Sequence, residues 1–249
     1  MAMSDDLFAN TALPTRPSAD AYNAEHIEVL EGLEPVRHRP GMYIGGSDEN
    51  AMHHLVNEIF DNAMDEAVAG FASRIEVSLD VGNKLTIRDN GRGIPVDPHP
   101  KFPDKSALEV IMMTLHAGGK FSGKAYETSG GLHGVGISVV NALSSEMEVE
   151  VVRDRRIYRQ RFSRGTVASP LEEVGTINNR RGTSVTFIPD TQIFGDKAQF
   201  RAGRIFKLIR SKAYLFRGVE IRWQCSPELV KEGGDTPIEA VIHFPAGLN

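Results

Sequence analysis

One cysteine, Cys225, among 249 residues rules out an intramolecular disulfide and any cysteine-rich zinc site. No apolar run approaches the roughly 18 residues that a membrane span needs. The opening MAMSDDLF is acidic where a secretory signal is basic and then apolar. Basic charge is in deficit: 28 Lys and Arg stand against 33 Asp and Glu, a net −5, which argues against a surface built primarily to coat DNA. The expectation is a soluble, cytoplasmic chain. With 41% hydrophobic and 24% charged residues it can bury a substantial core, as one large domain or two small ones.

What is present is concentrated in residues 51–69, AMHHLVNEIFDNAMDEAVA, with four carboxylates, two asparagines and no Lys or Arg. At about 100° per residue this reads as one amphipathic helix. Met52, Val56, Ile59, Phe60, Ala63 and Ala67 share one side; Glu58, Asp61, Asn62, Asp65 and Glu66 share the other. Most polar helix faces are simply solvated. A solvated face usually mixes signs, however, because like charges four apart repel by about a few tenths of a kcal/mol. Here Asp61 and Asp65 have no neighbouring cation on the helix. Crowded carboxylates with an amide oxygen suit a hard cation such as Mg²⁺, with a carboxylate left over as general base.

Around this helix the chain alternates between strand and helix patterns. Residues 1–21 are polar, proline-bearing and aperiodic, the signature of a disordered tail. A short helix is expected at 26–30 and a loop at Pro35, Pro40 and Gly41. RIEVSLD (74–80) and KLTIRD (84–89) alternate as strands about a Gly82-Asn83 turn. Helices are expected at 106–116, 137–144 and 199–213, and strands at 147–153, 157–162, 183–188 and 218–224. Hairpins outnumber crossovers, so the fold class is α+β: a mixed sheet with helices on one face. From about Ser226 the pattern reads as the opening of a further domain, as though the chain were a fragment.

Two further segments carry chemistry. Asp89-Asn90-Gly91-Arg92-Gly93-Ile94-Pro95 begins as a hairpin signal, yet Pro95 and Pro98 prevent a returning central strand. A carboxylate at a strand end, backed by glycines that let a ring approach, would accept a base's amino group; a purely structural turn is the alternative. Residues 118–136 hold seven glycines in nineteen positions and run straight into an apolar helix. Free N–H groups there make a phosphate cradle. GGKFSGK (118–124) fails as a P-loop because Ala125 stands where Ser or Thr must bind Mg²⁺. Gly131, Gly134 and Gly136 are in the wrong order for a Rossmann turn.

The arginines at 153, 155, 156, 159, 161 and 164 form the one strongly basic stretch, either a nucleic-acid strip or a solvated edge hairpin protected by charge. The hairpin is the better reading, since only Tyr158 and Phe162 interleave the charges. His116 and His133 lack the spacing of a zinc pair.

Together, E-x-x-D-N-x-x-D-E-A from Glu58, D-N-G-R-G-I-P from Asp89, G-G-L-H-G-V-G from Gly130 and R-G-T from Arg181 resemble one family. It is the gyrase/Hsp90/histidine-kinase/MutL ATPase superfamily, and within it the B subunits of type II DNA topoisomerases. The resemblance runs from Tyr22 to about Phe187. LEPVR (33–37), RPGMY (39–43) and SGGLHGVGISVVNALS (129–144) set it apart from the kinase and chaperone branches. Glu34-Pro35 and Ile137 resemble the topoisomerase IV branch more than the gyrase branch.

The resemblance implies a two-layer Bergerat-type fold over 22–225, followed by a transducer domain that would begin within 226–249 and supply a lysine to the γ-phosphate. It implies ATP and Mg²⁺ as cofactors, with ATP-driven dimer closure coupled to DNA double-strand passage. Glu58 would be the general base and Asn62 the Mg²⁺ ligand. Asp89 would take the adenine amino group, with Gly93 and Thr183 completing the pocket through water and Ile94 and Pro95 beside them. Arg92 would pair with Glu66 as one wall. Gly130, Gly131, Leu132, His133, Gly134, Val135 and Gly136 would wrap the phosphates, with Lys120 nearby. Tyr22 would reach the nucleotide of a second B subunit. An A-type subunit and DNA are the remaining implied partners, and no membrane is.

Overall fold

The computed structural model describes residues 30–115, 136–216, 218–230 and 234–244. The chain divides into a unit Met1–Leu30 and a unit Glu31–Asn249. Only Leu30 of the first unit is described, so the expected tail and the helix near 26–30 lie outside the described residues. In the second unit the helices are α1 (Glu34–His38), α2 (Gly41–Ile44), α3 (Glu49–Val68), α4 (Ala107–Met113), α5 (Gly136–Ala142), α6 (Thr191–Phe194) and α7 (Ala202–Leu215). The strands are β1 (Arg74–Asp80), β2 (Lys84–Asp89), β3 (Pro98–His99), β4 (Phe102–Ser106), β5 (Ser144–Arg153), β6 (Arg156–Ser163), β7 (Thr166–Val167), β8 (Glu172–Thr176), β9 (Gly182–Pro189), β10 (Glu220–Cys225) and β11 (Glu239–His243).

The acidic helix is α3, and it starts two residues earlier than its periodicity suggests. Asp48 is the reason: its side chain accepts from the Ala51 N–H at 2.8 Å, a helix cap that satisfies one orphan donor. Ser106 caps α4 in the same way, through the Glu109 N–H. The two prolines after Asn90 do exclude a central strand. The chain makes instead a small separate ribbon, β3–β4, before α4.

The main sheet runs β11-β10-β1-β2-β9-β5-β6-β7, with β8 also on β6; β1 and β10 are its one parallel pair among the described strands. Strict alternation decides which side is wet. Ile75, Val77 and Leu79 of β1, Leu85 and Ile87 of β2, and Val185 and Phe187 of β9 are buried. They join α3's Met52, Leu55, Val56, Ile59, Phe60 and Ala63 in one core. The opposite face carries cross-strand acid–base pairs: Glu76 faces Arg88, Glu148 faces Arg161 and Glu150 faces Arg159 in register. Arg159 Nη2 lies 2.9 Å from Glu150 and Arg161 Nε 2.8 Å from Glu148. Arg156 meets Glu173, and Arg164 meets the fully buried Asp190. Most of the basic stretch is therefore neutralised in place, which favours the charged hairpin over a nucleic-acid strip.

One histidine ties α3 to the start of α7. His53 is buried, its Nε2 accepts from the Arg201 N–H at 3.0 Å, and its Nδ1 lies 2.7 Å from the Glu49 carbonyl. Accepting at Nε2 requires the neutral ring, with the proton on Nδ1. Burial, the main cause, lowers its pKa accordingly.

The chain from 226 onward, expected to open another domain, forms a 3₁₀ turn (Pro227–Leu229) and then β11, which pairs with β10 at the edge of this same sheet. Ile242 enters the core, and the Pro237 carbonyl accepts from Trp223 Nε1 at 2.8 Å. Without β11, the backbone of β10 would be an open edge.

Candidate functional site

Residues 85, 87 and 89 share the inner side of β2, so alternation carries Asp89 onto the face that holds Leu85 and Ile87. The last residue of an apolar row is thus a carboxylate, 8% exposed. One oxygen, Oδ1, accepts from the Gly91 N–H at 2.8 Å and more distantly from the Thr183 N–H at 3.4 Å. Burial, chiefly, pushes its pKa from 3.8 up to about 6; the charge of Glu66 adds to this, and the two N–H donors oppose it.

Glycine makes that crowding possible. A Cβ on Gly182 would run into the Asp89 carbonyl oxygen, and its φ of +115° is one that L side chains rarely adopt. A Cβ on Gly91 would sit 2.7 Å from Glu66 Oε2 and 2.8 Å from Asp89 Oδ1.

Glu66, from the last turn of α3, reaches this strand end. Arg92 grips it from both ends, with Nη2 2.7 Å from Oε1 and Nε 3.2 Å from Oε2, and the Arg92 backbone N–H donates to Oε2 at 3.0 Å. The Arg92 guanidinium in turn lies 3.7 Å over the Phe71 ring. Gly93, at φ +80°, passes close to Val151 and Val152, and its carbonyl accepts from Arg153 Nη1 at 3.0 Å. The Ile94 N–H donates to Thr183 Oγ1 at 3.1 Å; Ile94 packs on the core while Pro95 is exposed. Asp89, Glu66, Arg92, Gly93, Ile94 and Thr183 are therefore brought together around one strand end.

Two turns N-terminal to Glu66, Glu58 is half-buried on α3, and Asn62 follows one turn later. The Glu58 carboxylate occupies the space that a Cβ on Gly136 would need. The start of α5 thus packs directly on Glu58. Asn141 of α5 donates from Nδ2 to the Met112 carbonyl at 2.9 Å, tying α5 to the end of α4. Lys120, Gly130, Gly131, Leu132, His133, Gly134 and Val135, between those two helices, and Tyr22 lie outside the described residues.

The acidic helix does not act as one site. Asp61 is turned toward α7, where Lys212 pairs with it. Asp65 is buried. The missing cation came from an element 151 residues away. Among the described residues no three His, Cys, Asp or Glu side chains form a metal cage. A neutral amide oxygen beside one carboxylate fits Mg²⁺, which keeps several waters and takes the rest of its ligands from substrate phosphates. Phe71 escaped the sequence reading, Gly182 left a signal only inside the R-G-T motif, and Arg153 was read as part of the basic stretch and not as a partner of Gly93.

The family described as histidine kinase-, DNA gyrase B- and HSP90-like ATPase matches residues 47–193. The DNA topoisomerase 4 B subunit of Bartonella bacilliformis is 64% identical over 227 residues, covering 91% of this chain and 33% of the relative. Its Caulobacter vibrioides namesake is 60% identical over 234 residues, 94% of this chain and 33% of the relative. The chain thus spans about a third of the length of these curated relatives. The crystal structure of the 43K ATPase domain of Thermus thermophilus gyrase B in complex with an aminocoumarin aligns at a TM-score of 0.73 and 43% identity. It covers 86% of this chain and 52% of that one.

Proposed function

The chain belongs to the histidine kinase-, DNA gyrase B- and HSP90-like ATPase family, and from that premise we propose that it is the ATP-binding and hydrolysing domain of a topoisomerase IV B subunit. In that reading, ATP-driven closure of a B-subunit dimer is coupled to DNA double-strand passage in a cytoplasmic enzyme completed by A-type subunits. The observation that carries the reading is the buried Asp89 carboxylate at the end of β2, walled by the Glu66–Arg92 pair and backed by Thr183.

A buried acceptor with one oxygen held by backbone N–H groups has the other available for an exocyclic amino group, as adenine presents. Thr183 and Gly93 complete the contact through water, Ile94 and Pro95 border the ring, and the Arg92 plane forms the wall. The phosphates then lie toward Gly136 and the glycine-rich segment before it, Gly130–Val135, with Lys120 close by and Tyr22 reaching across from the second subunit. Glu58, held against the start of α5, takes a proton from the water that attacks the γ-phosphate. Bound Mg²⁺ would neutralise phosphate charge, and Asn62 would hold it through the amide oxygen. A transducer domain following the sheet would add the lysine.

Calorimetric titration of the chain with a non-hydrolysable ATP analogue, with and without Mg²⁺, tests this. Saturable binding that Mg²⁺ strengthens and that an aminocoumarin prevents is the expected result. A chain that binds neither ligand would overturn the reading.

A further inference from the structure

We propose that the outer face of the sheet carries a second binding site, a cleft of about 600 Å³ for a phosphate-bearing anion, walled by Arg74, Arg88, Arg155, Arg180 and Arg181. The cleft lies on the side away from the helices, between the β5–β6 turn and the segment 178–181 that leads into β9. Asp89 is at its border, but the Asp89 side chain belongs to the inner face of β2, opposite to that of Arg88. The site is thus separate from the nucleotide pocket and does not depend on that assignment.

Charge distinguishes this cleft from the rest of the face. Along β5 and β6 each outward arginine meets a carboxylate in register. Here Arg180 is held by Glu150 at 2.6 Å and Arg74 lies 3.8 Å from Glu220, but Arg88, Arg155 and Arg181 face only Glu76 and Asp154 from within the lining. Glu76 is shared by Arg74 at 3.7 Å and Arg88 at 3.4 Å, and neither contact is close. The Nε of Arg88 is buried with no hydrogen-bond partner. Arg181 donates Nε to the Asn90 carbonyl and Nη2 to the Phe71 carbonyl, neutral acceptors that leave its charge uncancelled. Among the described residues, Arg155 has neither an ion pair nor a hydrogen bond from its side chain. It is the member of the basic run that the hairpin does not neutralise.

The backbone adds an independent observation. The β5–β6 hairpin closes through Asp154 at φ +51° and Arg155 at φ +63°. Two left-handed residues in succession define the turn in which glycine at the second position is cheapest. An arginine stands there instead, directed by the turn to the rim of the cleft. A strained residue of this kind points to a use for its side chain.

Several guanidinium forks converging on one concavity match the density of charge and acceptor oxygens on linked phosphates, whereas a single carboxylate would satisfy one of them. The Asn178 and Asn179 amides at the rim can add donors. The phosphates could belong to a small polyphosphorylated molecule or to a nucleic-acid backbone. The chemistry is the same.

The test follows the side-chain amide signals of Asn90, Asn178 and Asn179 in ¹⁵N–¹H spectra of the whole 249-residue chain, which locates binding at this cleft whatever occupies the inner pocket. One titration uses inorganic tripolyphosphate and another a short DNA duplex. Saturable shifts of these signals are expected, with Arg155→Glu weakening binding by about tenfold or more and Arg155→Lys restoring much of it. The neighbouring Arg156→Glu, outside the cleft, should titrate like the parent. Shifts with tripolyphosphate alone support a small phosphorylated ligand. Shifts with the duplex, weakening steeply as salt rises, support a nucleic-acid backbone. If neither probe moves the three amides, or if Arg155→Glu binds like the parent, the proposal is wrong.

Discussion

The carboxylate of Glu58 occupies the place where Gly136 would carry a side chain. A residue of the long acidic helix and the first residue of α5 are thus in contact across 78 positions, because glycine leaves the space open. Gly136 begins an ordinary helix, so its backbone would accept alanine. The cost of a methyl group falls on Glu58 instead.

Gly136→Ala should therefore displace the proposed base and slow ATP turnover by about 10²-fold, a typical penalty for a misplaced reacting group. Glu58→Ala should abolish hydrolysis and leave nucleotide binding largely intact. Phosphate release and analogue titration of each variant check this. If Gly136→Ala turns ATP over at the parent rate, or loses turnover only because it no longer binds nucleotide, its methyl group does not act through the base.

Asp89→Asn should weaken ATP-analogue binding by about 10- to 150-fold, the worth of a charge-assisted hydrogen bond. Its effect on the empty protein should have the opposite sign. The folded state raises this carboxyl from 3.8 to about 6. That favours folding fully below the unfolded value, and the advantage is lost as pH rises through about 6. At pH 7 the ionised, buried Asp89 costs on the order of 2–3 kcal/mol, much of which asparagine should recover. The gap in Tm between variant and parent should open from pH 4 to pH 7. A gap that stays constant over that range would show that Asp89 titrates normally.

Gly182→Ala should destabilise the fold by about 3 kcal/mol or more, since it adds a Cβ against a backbone carbonyl at a backbone angle that alanine rarely adopts. Urea denaturation measures this. A loss under about 1 kcal/mol would mean that β9 can move away from Asp89 at little cost.

Asp61→Asn separates the two uses of the acidic helix. Asp61 pairs with Lys212 across the α3–α7 joint, so the change should cost about 1 kcal/mol of stability or less and leave ATP turnover near the parent rate. A large fall in turnover at unchanged nucleotide affinity would return Asp61 to the catalytic machinery.

Much of the architecture was legible because it is local. The alternation of RIEVSLD and KLTIRD, the Gly82-Asn83 turn and the 100° period of α3 each depend on a few consecutive residues, and each reappears in the structure. α1, α2, β3, β4, β7, β8, α6 and β11 were not foreseen, and α1 and α2 stand where a loop was expected at Pro35, Pro40 and Gly41. Each of these elements is five residues or shorter, so none has enough periodic signal to stand out.

The site divides in the same way. Residue order alone determined that carboxylates would be crowded on one helix, that Asp89 would end a strand on its apolar side, and that glycines would surround it. These follow from backbone periods of 3.6 and 2. Only the tertiary structure decided which carboxylates belong together. Glu66 meets Arg92 because the end of α3 lies beside the end of β2, while Asp61 meets Lys212 because α7 crosses the other flank. The partner of a surface charge is set by the packing of elements far apart in sequence, and no local period encodes it.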